Sequence, residues 1–457
     1  MSVNAGHRFG NKIGRLFFDF SAKNLTGFGG LIPFAEFMRR VGIEPAFNTL
    51  NLGYCPRVYP VGRIVMAFLL GMVSSFDRVR EVARLGRDVP LLRALGWNDF
   101  PVQSTLSRVL NRFDEERVTR LAEIVAHLLS KFRRGWRDFK VLHMDLDSHV
   151  RTVYGSQVEQ AVKGYNPNKR GRRSFHPLLA FVGETRDFLL GKLRPGDVHT
   201  ANGAVEFLEQ CFAQIGLERL HKLVLRADSG FCSAPFMQAL EAHAGKVLYA
   251  LAMRLLPTHQ RRFDGLDYHC MPGSPPEDGL EIASYMSTDW SDKKARRVVV
   301  IRQRVPQGTN AADQIGKQLK LFGLQDYTWR AIVTNSEAPP EAVWRDYNQR
   351  ACCENYIKEA LDFGLDWTAS QSFWANAAHL QLVMLSYNLF NWYKEVAFGQ
   401  TTERNTVRLL RTCIINVPAI LKRSSRQLRL CYPRDWPWLA PFEVAIRRVH
   451  SWQLPAT

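Results

Sequence analysis

Four acids and one helical stripe are the residues of this 457-residue chain whose types and spacing could do chemistry. Asp145 and Asp147 stand in "HMDLD", Asp228 closes "LVLRAD", and Glu354 lies in "YNQRACCENYIKEAL", residues 347–361. Tyr347, Arg350, Glu354 and Lys358 step by three, four and four, which places them on one face of a helix. Alone, such a stripe is a solvated face with weak ion pairs, and either Asp alone is a turn cap. Together, carboxylates from two strands and a helix can hold two hard divalent cations through oxygen. Two metals about 3.5–4 Å apart can activate an attacking oxygen and stabilise a leaving one in phosphodiester chemistry. No GxxxxGK[ST] loop, HExxH pair or GxSxG elbow competes.

The elements that must position these acids can be read from periodicity. In "KVLHMDLDSHV", Leu142, Met144 and Leu146 alternate with His143, Asp145 and Asp147, the period of a strand. "SFHPLLAFVG" and "DFLLGKLRPG" read as further strands. "TANGAVEFLEQCFAQIG" reads as a helix burying Ala204, Phe207, Leu208, Cys211, Phe212 and Ile215. Strand "KLVLRAD", helix "APFMQALEAHAG" and strand "KVLYALAM" complete an α/β pattern. In open α/β sheets, functional groups gather where strands end. Upstream, 1–135 reads as a helical domain for DNA binding or dimerisation, with Ser104 or Thr105 capping "STLSRVLNRF", a candidate recognition helix. Residues 136–257 form the first part of the core, 258–336 a β-rich insertion, 337–400 the second part with the Glu helix, and 401–457 a basic helical tail.

Lys and Arg outnumber Asp and Glu by 61 to 43, a net charge of +18, which favours a polyanionic partner. Lys169, Arg170, Arg172 and Arg173 crowd a loop that could track a DNA backbone. In the tail, Arg404, Arg408, Arg411, Lys422, Arg423, Arg426 and Arg429 suit phosphates more than bases. The eight cysteines form no CxxC pair, which argues against structural zinc and fits a reducing cytosol. Cys352 and Cys353 flank Glu354 off its face. His143 and His176 read as packed residues, and Trp290, Trp329 and Trp344 as core. No stretch reads as a signal peptide or membrane span.

The stretches "LHMDLDSHVRTVYGSQ", "GYNPNKRGRRSFHPLLAF", "VLRADSGF", "WRAIVTN" and "YNQRACCENYIKE", in this order, resemble the DDE transposases of bacterial insertion sequences. The nearest resemblance is to the insertion-sequence-four superfamily, thirteen-eighty subgroup. Its helix signature is Tyr, two residues, Arg, three residues, Glu, six residues, Lys. Tyr347, Arg350 and Glu354 fit; the final position is Leu361, with Lys358 one turn closer, and His149 stands for a Thr. The resemblance implies an α/β, RNase H-like catalytic core interrupted by a mostly β insertion, with Asp147, Asp228 and Glu354 as the catalytic metal acids and Asp145 as the alternative to Asp147. It implies two Mg²⁺ ions, with Mn²⁺ as substitute, and Tyr347, Arg350 and Lys358 on DNA. The implied partners are double-stranded DNA, as terminal inverted repeats and target, and a second copy in a homodimeric synaptic complex. The implied location is the bacterial cytoplasm, on the nucleoid when bound, with no membrane. The expected activity is strand cleavage at element ends followed by strand transfer. The alternatives are an inactive or domesticated DNA-binding copy and an RNase H-like nuclease that joins no strands.

Overall fold

The computed structural model describes residues 21–53, 58–167, 169–275, 279–304, 327–399, 405–425 and 427–454, with two short strands, Lys12–Ile13 and Leu16–Phe17, ahead of them. The N-terminal part is helical, as its periodicity predicts. Helix α1 (Leu31–Val41) buries Leu31, Phe34, Phe37, Met38 and Val41 and stops at Gly42, whose φ of 85° suits only glycine well. The apolar helix α2 (Val61–Val73) is buried along nearly all its length. The next periodic run is two helices, α3 (Gln103–Leu110) and α4 (Glu115–Phe132). Val102 rather than Ser104 or Thr105 precedes the first, without a side-chain cap; Asp114 caps the second by accepting the Arg117 N–H at 2.9 Å.

From residue 142 the described chain builds one nine-stranded sheet. Its strands are β1 (Leu142–Ser148), β2 (Leu178–Val182), β3 (Phe188–Lys192), β4 (Leu223–Ala227), β5 (Val247–Ala252), β6 (His269–Cys270), β7 (Leu280–Ser287), β8 (Arg296–Arg304) and β9 (Tyr327–Thr334). The order is β6-β7-β8-β9-β5-β4-β1-β2-β3. β1, β4 and β5 run parallel, while β2 and β3 form an antiparallel extension beyond β1. Helix α5 (Ala204–Ile215) buries the six residues its pattern predicts. It supplies the long connection that takes the chain from β3 to β4, parallel to β1, and α6 (Ala234–Glu241) supplies the crossover from β4 to β5.

Other expectations need correction. The run "SFHPLLAFVG" is not one strand: it breaks at His176 and Pro177 between Arg173–Phe175 and β2, since Pro cannot donate to a ladder. The β segment after residue 258 continues the core sheet, because β9 pairs with β5. The opening stripe is not one helix. It divides into α7 (Pro340–Asn348) and α8 (Ala351–Leu361), joined by i→i−3 hydrogen bonds at Gln349, Arg350, Cys352 and Cys353.

The long helix α9 (Phe373–Phe398) is buried all round. Two of its polar residues are directed to the sheet's edge: Asn388 bonds both the N–H and the carbonyl of Phe188 at 2.8 and 2.9 Å, and Gln381 donates to the Gly191 carbonyl at 2.9 Å. The open backbone of β3 is thereby covered. The tail is only partly helical. A hairpin of β10 (Ala419–Ser424) and β11 (Gln427–Cys431) pairs with Leu25–Thr26 before α10 (Leu439–Ser451). Among the described residues no helix is long and apolar enough to cross a membrane.

Candidate active site at the ends of β1 and β4

The register of β1 against β4 sets the site. Asp145 pairs with Arg226 and Leu146 with Ala227, so the next step along each strand brings Asp147 beside Asp228. The period of two puts Asp145 and Asp147 on one face. Asp145 is fully buried, and the Arg226 guanidinium grips both its oxygens at 2.7 and 3.0 Å. Its carboxylate is therefore engaged by a buried guanidinium two residues before Asp147.

Asp147 is largely buried. Burial raises its carboxyl pKa to about 6; the nearby Arg350 opposes the rise and Asp228 adds to it. Its Oδ1 accepts the Ser148 N–H at 2.8 Å, and its Oδ2 lies 3.1 Å from Arg350 Nη2. Asp228 also forms the turn that Asp favours, accepting the Gly230 N–H at 3.0 Å. A Cβ at Gly230 would meet Thr200 at 2.9 Å, and the Thr200 hydroxyl donates to Ser148 Oγ at 3.2 Å. Thr200 thus wedges the two acid-bearing strand ends into fixed relation.

Helix α7 brings Tyr347 to the same place, its hydroxyl 3.5 Å from the Ala227 carbonyl. Glu354 and Lys358 are exposed on α8. Among the described residues no three His, Cys, Asp or Glu side chains stand together as a metal cluster. The site gathers Asp147, Asp228, Tyr347 and Arg350, and Glu354 stands exposed on the helix that follows. Cys353 is fully buried, while Cys352 is exposed.

Sequence reasoning missed a network beneath these residues. Arg226 donates to Asp346 through its carbonyl at 2.9 Å and its Oδ1 at 3.2 Å. His143 Nε2 meets Asp346 at 2.9 Å, and its Nδ1 meets Glu184. Burial disfavours the charged imidazole, yet the hydrogen bonds to Asp346 and Glu184 outweigh it and hold the pKa at about 9. Arg226 lies two residues before Asp228 as Asp145 lies two before Asp147; that matched spacing was the available signal.

The basic loop belongs to the hairpin between β1 and β2, beyond the end of β1. Arg170 and Arg172 are exposed, Arg173 bonds the Ala161 carbonyl at 3.1 Å, and Lys169 lies over the Tyr154 ring at 4.8 Å. His149 pairs with Asp366 at 2.5 Å, and buried His176 meets the Val198 carbonyl at 2.9 Å. Trp329 and Trp344 are buried beside a cleft of about 310 Å³ that Tyr347 also lines, and Trp290 is partly buried against the core. In the tail, Arg411 is no phosphate contact: it is buried and donates to the carbonyls of Met72, Val73 and Asp362. Arg408, Lys422, Arg423 and Arg429 are exposed; Arg404 and Arg426 lie outside the described residues.

Comparison with solved structures finds the piggyBac transposase synaptic complex with hairpin DNA, at 11% identity and a TM-score of 0.43, covering 93% of this chain and 82% of that one. A pre-cleavage Mos1 transpososome matches at 13% identity and a TM-score of 0.17, covering 43% and 60%. No curated protein matches. The family model for the transposase DDE domain, group 1, matches residues 12–453, nearly the whole length, and the chain belongs to that family of transposases.

Proposed function

We propose that the chain cuts DNA at the ends of a mobile element and joins those ends to target DNA by direct phosphodiester attack. Asp147 and Asp228 would hold Mg²⁺, or Mn²⁺ in its place, with Glu354 as third acid. The observation that carries this reading is the pair of carboxylates at adjacent strand ends with a guanidinium already drawn against one of them. Hard carboxylate oxygens suit such ions, and a site that stabilises Arg350 is one where positive charge is favoured. When bound, divalent ions there would polarise the scissile phosphate and ease departure of the leaving oxygen.

The chain's own residues do the positioning. Thr200 and Gly230 hold the two strand ends, and the Asp145–Arg226–Asp346 bridge ties α7 to β1 and β4. Exposed Arg170 and Arg172 suit a phosphate backbone approaching the same end of the sheet. The strand order β3-β2-β1-β4-β5, antiparallel then parallel, supports an RNase H-like core. Tyr347, Arg350 and Glu354 support the insertion-sequence-four, thirteen-eighty assignment. The substrates would be terminal inverted repeats and target DNA, held by a homodimer on the bacterial nucleoid.

Cleavage of a labelled element end in Mg²⁺ tests the reading. Asp147→Asn and Asp228→Asn should remove nicking while DNA binding persists; full activity in either removes that residue from the site. Pre-cut ends should give strand-transfer products, whereas cleavage without joining marks a nuclease. The exposure of Glu354 favours a second reading, a DNA-binding copy that does not cut. It predicts Mg²⁺-independent binding to the flanking repeats and no nick.

A further inference from the structure

Arg350 is placed unlike an arginine that waits for DNA. It is 9% exposed, its Nη2 is 3.1 Å from Asp147 Oδ2, and its Nε is buried without a hydrogen-bond partner. Asp145 below has its own guanidinium in Arg226. The upper pair, Asp147 and Asp228, therefore shares one, within electrostatic reach of both. Two like charges held together in a poorly hydrated site must be neutralised by a proton or a cation. Arg350 also sits at the joint between α7 and α8, where i→i−3 bonds replace the α-helical ladder: Arg350 N–H to the Tyr347 carbonyl at 2.9 Å, and Cys353 N–H to the Arg350 carbonyl at 2.8 Å. It can change direction there without breaking either helix.

We propose that Arg350 is an internal counter-ion, holding the place of positive charge beside Asp147 and Asp228 until a divalent cation takes it and turns the guanidinium outward to a DNA phosphate. The inference rests on Asp147 and Asp228 being the metal ligands. A divalent ion and a guanidinium repel each other across such a short span, so the metal must displace the arginine to bind fully. DNA that accepts the displaced guanidinium lowers that cost, which couples metal and DNA binding in both directions. The same turn of the joint carries α8, and Glu354 on it, relative to the two aspartates.

Calorimetric titration of the full chain with Mn²⁺, without DNA, tests this. Arg350→Gln and Arg350→Met should each bind Mn²⁺ about tenfold tighter than the wild type or more, while Arg350→Lys stays near the wild-type value. A folded neutral variant that binds Mn²⁺ no tighter overturns the proposal. A second measurement uses the unaltered chain: with arginine ¹⁵Nε-labelled protein, the Arg350 resonance should move to the position of a solvent-exposed guanidinium on adding Mg²⁺. A resonance that stays where it is while the ion binds also overturns it. Asp147→Asn serves as reference. If no variant shows Asp147-dependent binding, the metal assignment itself falls; if such binding is present but insensitive to Arg350, only the counter-ion falls.

Discussion

The two halves of the site are built by different means. Asp147 and Asp228 are fixed by β1–β4 register, where a one-residue slip of either strand would turn its Asp to the other face. Glu354 is carried by α8, after a joint that interrupts the ladder. A sheet delivers paired side chains to a stated place; a helix behind a tight turn delivers them only to a direction. The half that carries the paired aspartates is thus set by register, and the half that carries Glu354 is jointed. The largest expected effect breaks this comparison. Asp147→Asn and Asp228→Asn should each lower the cleavage rate by about 10³-fold or more, as for members of a group that acts as a unit. Single-turnover cleavage of Glu354→Gln then decides whether α8 moves. An equal loss means the joint closes on the strand pair, and an unchanged rate leaves two acids as the whole site.

The next effect concerns stability. Arg226→Ala leaves Asp145 buried without a partner, and breaking such a pair costs about 3–5 kcal/mol. Urea denaturation of Arg226→Ala should show that loss. Lys358→Ala, on the exposed face of α8, should stay within about 0.5 kcal/mol of the wild type. Equal losses would erase the distinction between the register-set and jointed halves.

The legibility of the sequence divides along the same line. β1, α5, β4 and β5 were readable because period two and period 3.6 directly report which side chains face a core. The position of Asp147 and Asp228 at strand ends was readable because a buried strand that ends in Asp is conspicuous. The break at Gln349 and Arg350 was not, since no Gly or Pro marks it and every residue across it favours or tolerates a helix. The tail hairpin was missed because exposed Lys422, Arg423 and Arg429 carry charge but little periodic signal. The partners of Asp145 and His143 needed register, which pairs residues far apart in the chain.

The pH dependence of stability sharpens the comparison more gently. His143 has a folded pKa of about 9 against an ordinary value of 6.5, because Asp346 and Glu184 outweigh the burial that disfavours its charge. Its contribution to stability is therefore fully present below 6.5 and is lost as pH rises through about 9. Denaturation midpoints should fall across that window, and His143→Gln should flatten the slope. A slope unchanged in the variant would mean that the bridge between β1 and α7 does not depend on imidazolium charge.

The smallest effect is electrostatic, at the basic loop between β1 and β2. Arg170 and Arg172 are exposed, so replacing either with Ala should leave stability unaltered. If each guanidinium neutralises one phosphate, its removal should reduce the slope of log affinity against log salt by about 0.9, equally for specific and unrelated duplexes. Arg173 and Lys169 differ from them: one is tied to the Ala161 carbonyl and the other lies over Tyr154. Their substitution should change the slope less, because a cation already engaged in the protein releases fewer counterions from DNA. Equal slopes for all four would mean that these internal interactions yield to DNA, and that the loop, like α8, belongs to the jointed half of the site.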